Sequence, residues 1–157
     1  MIRHATPDDA EAIARVEMRA FRHAYAEILD PQFLADMELG ERTAAWREHL
    51  DRDDRVVWVA DAEGRVVGYA SALDAELRTL YVDPVAQGAG VGTRLLAAAE
   101  AAGVRELEVF AANGHGIAFY EARGWHDAGA AGEWLDKPLR RYRKYPRDRY
   151  RETGGRL

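Results

Sequence analysis

Residues 76–103 read ELRTLYVDPVAQGAGVGTRLLAAAEAAG. The residues from Glu76 to Val82 predict a strand, Asp83-Pro84 ends it, and Val91 to Ala102 predicts a helix with Gly103 as its C-terminal cap. Between them lies Gln87-Gly88-Ala89-Gly90-Val91-Gly92-Thr93. Glycines there remove Cβ atoms, so successive N–H groups can close on an anion while the positive end of the helix dipole faces it. The segment reads as a phosphate cradle between a strand and a helix. It is not a P-loop, because Gly92 is followed by Thr93 and Arg94 and no lysine stands where GxxxxGK[ST] requires one. It is a poor dinucleotide fingerprint as well: the spacing is GxGxG, and Asp83 to Gln87 separates it from the strand. Taken alone, a glycine cluster can equally be a tight turn with no ligand.

Working outward, Val56 to Ala60 and Arg65 to Leu73 predict a hairpin through Asp61-Ala62-Glu63-Gly64, and the short link Asp74-Ala75 leads into the strand at Glu76. Upstream, Ile2 to Ala5 is a short extended start. Thr6-Pro7-Asp8-Asp9 then opens a helix whose apolar stripe is Ile13, Val16, Phe21, Ala24 and Tyr25. Asp30-Pro31 breaks it, and further helices are expected over Gln32 to Met37 and Glu41 to Leu50. Downstream come a strand from Arg105 to Phe110, a helix from Gly116 to Arg123 stopped by Gly124, and closing strands Trp125 to Asp127 and Pro138 to Tyr145, with Ala128 to Gly132 as a flexible loop. The early hairpin implies antiparallel pairing, and the later strand-helix-strand step a parallel pair with a right-handed crossover. The expected fold class is α/β: one mixed β-sheet of about six to seven strands flanked by helices. In the strand at Glu76, Leu77 and Tyr81 share one parity while Leu80 and Val82 share the other. A bulge or burial on both faces explains that equally well.

The chain has 157 residues, 48% of them hydrophobic, which suits one domain, expected over 1–145. The net charge of −5 argues against general nucleic-acid or anionic-membrane binding. The sign is uneven, since residues 137–157 hold nine Lys/Arg against two Asp/Glu. Residues 146–157 are expected to form a basic, flexible tail. No cysteine is present, so disulfides, thiolate nucleophiles and cysteine-held metals drop out. The five histidines have no HExxH-like spacing, and no metal is expected. Met1 to Ala10 includes Arg3, Pro7 and two aspartates, unlike a signal peptide core, and no stretch approaches ~18 apolar residues. The expected location is the cytoplasm, with no membrane partner.

Four segments taken together closely resemble the signature of the GNAT superfamily of acyl-CoA-dependent N-acyltransferases. They are Leu80-Tyr81-Val82-Asp83-Pro84, Gln87 to Gly92, Asn113, and Phe119-Tyr120-Glu121 followed by Gly124-Trp125. The match is specific over residues 76–125 and looser over 1–75 and 134–145. The resemblance implies a sheet splayed around the cofactor and acetyl-CoA as cosubstrate. It places Leu80, Tyr81 and Val82 along the pantetheine arm, and Gln87, Gly88, Ala89, Gly90, Val91, Gly92 and Thr93 on the diphosphate. It puts Asn113 near the pantetheine end and Tyr120 beside the sulfur. Read without it, Tyr120 is a helix tyrosine packed on a sheet and Asn113 a helix cap.

Acetyl transfer to an amine needs a neutral nucleophile, a stabilised oxyanion and a protonated leaving thiolate. Backbone N–H groups near Leu80 to Val82 suit the second need, and Tyr120, with an ordinary pKa of ~10, suits the third. Glu76 is the best-placed carboxylate for the general base; the ordinary alternative is a solvated charge at a strand end. Phe21, Tyr25, Trp46 and Trp134 are candidate walls for the acceptor, with Glu27 or Glu133 drawing a cationic amine, although such aromatics are more often core and such acids surface. The expected partner is a small-molecule or peptide amine, and a homodimer is allowed. Two other classes compete: an acyl-CoA-binding regulatory module without turnover, and RNA association through the Tyr/Arg-rich stretch Arg140 to Arg151.

Overall fold

The computed structural model describes residues 1–145, so the tail expected over 146–157 lies outside the described residues. These residues form two compact units, Met1–Val104 and a second that begins at Arg105. Together they hold seven strands and five α-helices, a mixed α/β architecture.

In the first unit, β1 (Ile2–His4), β2 (Val56–Ala62), β3 (Arg65–Leu73) and β4 (Glu76–Val82) form an antiparallel sheet in that order. The β2–β3 turn is tighter than expected: the strands run on to Ala62 and from Arg65, leaving Glu63 and Gly64 at φ 54° and 86°. That is the geometry of a two-residue hairpin turn. Helix α1 (Ala10–Ala24) stops short of Asp30; the chain then folds back, with the amides of Ile28 and Leu29 donating to the Tyr25 carbonyl. Helices α2 (Pro31–Ala35) and α3 (Leu39–Arg52) follow, and α3 ends at Asp53, which is left-handed at φ 52°.

One face of β3 packs under α1 and α3. The core there joins Ile13, Val16, Trp46, Val57, Val59 and Tyr69, with Tyr81 against it. The other face receives α4 (Val91–Ala101), whose Leu95, Leu96 and Ala99 are buried. Strand β4 carries a bulge: Ser71 pairs with Thr79 but Ala72 pairs with Leu77, so Arg78 is the extra residue. This resolves the parity conflict, because the bulge moves Leu77 onto the face of Ala70 and Leu80 while Thr79 and Tyr81 stay on that of Ser71 and Tyr69.

In the second unit, β5 (Glu106–Phe110), β7 (Lys137–Arg143) and β6 (His126–Trp134) pair antiparallel, with α5 (Gly114–Glu121) between β5 and β6 in sequence. The loop expected over Ala128 to Gly132 is instead part of β6. Its alanines and glycines have poor strand propensity, but pairing with β7 overrides it; the register shifts at Ala128 and again between Ala130 and Glu133, with Gly129 and Gly132 at φ 111° and 78°.

Candidate active site

The cradle is assembled within the first unit. Asp83, nearly fully buried, accepts from the Val85 amide at 3.2 Å and from Arg19 Nη1 at 3.1 Å, which fixes the exit from β4 as a short turn over Pro84–Ala86. Its expected role as a turn residue is what the structure gives it. Gln87 Nε2 donates to the Val82 carbonyl at 3.4 Å, tying the start of the glycine run back to the strand. Gly88 and Gly90 stand at φ 86° and 79°, left-handed values that a side chain would strain, and Gly90 is the N-cap of α4. The segment Gln87 to Gly90 is exposed. Among the described residues, the backbone amides from Gly88 to Gly92 donate to no carbonyl. The site therefore offers consecutive uncommitted donors at the positive end of an eleven-residue helix, a donor set suited to an anion and in particular to a diphosphate.

Leu80, Tyr81 and Val82 pair with Ala70, Tyr69 and Gly68 and are all half-buried, leading away from the cradle toward the bulge. Glu76, at the start of the same strand, is partly exposed and its carboxylate is 3.3 Å from Arg78 Nη1. The residues from Glu76 to Thr93 thus come together along one strand and the turn after it.

In the second unit Asn113 caps α5, its Oδ1 accepting from the Gly116 amide at 2.9 Å. Tyr120, half-buried on the same helix, packs against Phe119 and Trp125 at ring separations of 5.2 and 6.1 Å. The helix is anchored to β7 by the Tyr142 hydroxyl, which donates to Glu121 Oε1 at 3.0 Å; burial, followed by this carboxylate, pushes the Tyr142 pKa up to about 12.

Phe21, Tyr25 and Trp46 are buried core, while Trp134 is exposed and stacks on Phe110 at 5.5 Å. Glu27 and Glu133 are surface residues. The aromatics on the α1 stripe follow the ordinary rule that large apolar side chains fill the space between a helix and a sheet.

A buried polar cluster also lies under β4 that the sequence reading passed over. The Glu17 carboxylate accepts from Arg42 Nε and Nη2, from Trp46 Nε1 at 3.2 Å and from the Tyr69 hydroxyl at 3.2 Å. Tyr69 is fully buried; desolvation, then the Glu17 charge, drives its pKa well above the ordinary value. Beside it on the same face, the Ser71 and Thr79 hydroxyls share a hydrogen bond at 2.6 Å. One sequence signal was available: Glu17 sits four residues from both Ile13 and Phe21, an acid on an apolar stripe. Among the described residues no group of His, Asp or Glu is placed to hold a metal ion, and no helix is long and apolar enough to cross a membrane.

Residues 53–127 match the family model described as an acetyltransferase (GNAT) domain. An uncharacterized N-acetyltransferase of Mycobacterium bovis is 31% identical over 94 residues, which cover 56% of this chain and 60% of that protein. The chain therefore spans less than two thirds of the length of this curated relative. Among solved structures, a ribosomal-protein-alanine N-acetyltransferase from Brucella melitensis is 31% identical with a TM-score of 0.69, covering 93% of this chain and 99% of that one. The PaiA N-acetyltransferase from Thermoplasma acidophilum, in complex with coenzyme A, superposes with a TM-score of 0.73 at 20% identity, covering 92% and 98%.

Proposed function

Because the chain belongs to the GNAT acetyltransferase family, we propose that residues 1–145 form an enzyme domain that transfers the acetyl group of acetyl-CoA to a primary amine. The observation that carries this reading is the run of uncommitted amides from Gly88 to Gly92 at the start of α4, one short turn beyond the bulged strand β4. These amides hold the diphosphate of the cosubstrate. The pantetheine arm follows β4 backward past Val82, Tyr81 and Leu80; the role carried over for Asn113, whose Oδ1 serves as a helix cap, is a hydrogen bond from its amide N–H₂ to the cosubstrate.

The amine attacks the thioester carbonyl directly in a ternary complex. The carbonyl carbon gains the C–N bond, the C–S bond breaks, and the thiolate takes a proton from the Tyr120 hydroxyl. Backbone N–H groups near Leu80 to Val82 stabilise the oxyanion. Glu76 receives the proton that the amine loses, Arg78 holding its carboxylate in place. No covalent enzyme intermediate forms.

The test is a panel of small amines, amino acids and peptides with acetyl-CoA, read as free thiol; alanine-terminated peptides belong in it because the Brucella relative is a ribosomal-protein-alanine N-acetyltransferase. Thiol release with an intersecting bisubstrate pattern is expected. Ping-pong kinetics would refute direct attack, and binding of acetyl-CoA without thiol release from any amine would leave a binding module in place of an enzyme.

A further inference from the structure

Helices α1 and α3 place their charges in accord with their own dipoles. Each has an acid in its first turn, Glu11 and Glu41, and basic residues in its last, Arg22 with His23 and His49 with Arg52. That arrangement is favourable because the amide end of a helix carries partial positive charge and the carbonyl end partial negative charge. Helix α4 does the opposite. It has no acid in its first turn, and its fourth residue is Arg94, a full positive charge set beside the positive end. The residues three and four places away, Gly90, Val91, Ala97 and Ala98, include no carboxylate to pair with it. Among the described residues, the Arg94 side chain makes no hydrogen bond or ion pair.

This side chain is exposed and turned toward the cradle. A residue on a helix leans over the turn N-terminal to it. The Arg94 amide donates to the Gly90 carbonyl at 3.1 Å, so that turn begins in the glycine run. A Cβ built on Gly90 would lie 3.8 Å from Arg94 Nη1, whereas one on Gly88 would meet nothing within 4 Å. The guanidinium therefore stands at the α4 edge of the amides from Gly88 to Gly92. Two other arginines approach the exit of β4, but Arg19 and Arg65 are both directed at Asp83, at 3.1 and 3.8 Å.

Without a ligand this juxtaposition of like charge is repulsive, and a bound anion reverses its sign. A diphosphate diester is a dianion, while a helix end supplies the equivalent of about half a positive charge. The amides alone leave most of the ligand charge uncompensated. We propose that Arg94 is the charged half of the cradle, its guanidinium donating to an oxygen of the diphosphate while the amides from Gly88 to Gly92 hold the others. This rests on the transferase reading above and adds to it the residue that makes the site prefer a phosphate-bearing acyl donor over a bare thioester.

The experiment compares wild type with Arg94→Gln and Arg94→Glu. Each is measured by calorimetry with coenzyme A and with dephospho-coenzyme A, which keeps the diphosphate but lacks the ribose phosphate, and by urea unfolding without ligand. Loss of a charge-assisted hydrogen bond predicts that Arg94→Gln binds coenzyme A about 10–100-fold more weakly, and Arg94→Glu more weakly still. The same fold-loss is expected with dephospho-coenzyme A. Unliganded, both variants should unfold at a urea midpoint equal to or above that of wild type, because each substitution relieves the repulsion at the helix start. A residue that only supported the fold would lower midpoint and affinity together, and that result would overturn the proposal. Coenzyme A affinity within about twofold of wild type in Arg94→Gln would overturn it as well. A loss seen with coenzyme A but absent with dephospho-coenzyme A would put the guanidinium on the ribose phosphate and overturn its assignment to the diphosphate. Each of these results leaves the transferase reading standing, since wild type still binds its cosubstrate. A wild type that takes up no coenzyme A overturns both.

Discussion

A Cβ built on Gly68 of β3 would stand 3.1 Å from Val91 Cγ1, from Leu95 Cδ1 and from the Tyr81 carbonyl oxygen. The missing side chain is therefore the reason that α4 seats closely on the sheet and that its first turn sits at the end of β4. Gly68→Ala forces this contact against a backbone atom that cannot swing away. The expected cost is about 1–3 kcal/mol in urea unfolding. Coenzyme A affinity should fall as well, because Val91 is the first residue of the helix that carries the cradle. An unchanged midpoint and unchanged affinity would contradict the packing argument.

Tyr120→Phe keeps the ring contacts with Phe119 and Trp125 and removes only the hydroxyl. If that hydroxyl protonates the leaving thiolate, kcat should fall by roughly 10²–10⁴-fold while calorimetric acetyl-CoA affinity stays close to wild type. A kcat equal to wild type removes Tyr120 from the acid role.

Asp9 is gripped by Arg3 through both carboxylate oxygens, at 2.8 and 2.9 Å, and accepts the Thr6 amide at 2.8 Å. The Arg3 hydrogen bonds hold its pKa below the usual carboxylate range, outweighing the burial that opposes them. A carboxyl whose pKa is depressed by folding stabilises fully above its unfolded value of ~3.9 and loses that contribution as pH falls through the lower folded value. Asp9→Asn should therefore be less stable than wild type at pH 7 by about 1–3 kcal/mol. The gap should close on acidification below pH ~4. A gap that is constant from pH 7 to pH 2 would show that the ion pair is not its source.

The β6–β7 hairpin turns through Leu135 and Asp136, both left-handed at φ 50° and 61°. Asn-Gly is the sequence such a two-residue turn favours, and a leucine there is strained. The double change Leu135→Asn with Asp136→Gly should raise stability by about 1 kcal/mol, read as a higher urea midpoint. A lower midpoint would mean that the Leu135 side chain contributes more by packing than its backbone costs.

The sequence by itself determined the order of the elements and the cradle. Gly88, Gly90 and the apolar run after them are local signals, because a turn with positive φ and a helix start are each set by a few adjacent residues. Asn113 as a cap and Asp83 as a turn residue were legible for the same reason. Only the tertiary structure decided that the Ala128 to Gly132 segment is a bulged strand, since its pairing energy comes from β7 and not from its own propensity. Tertiary packing also assigned Phe21, Tyr25 and Trp46 to the core, and it brought Glu17, Tyr69, Ser71 and Thr79 together from three elements. A buried carboxylate and the hydrogen bonds it accepts are defined by partners distant in sequence, and their energy appears only when water is excluded and those partners meet.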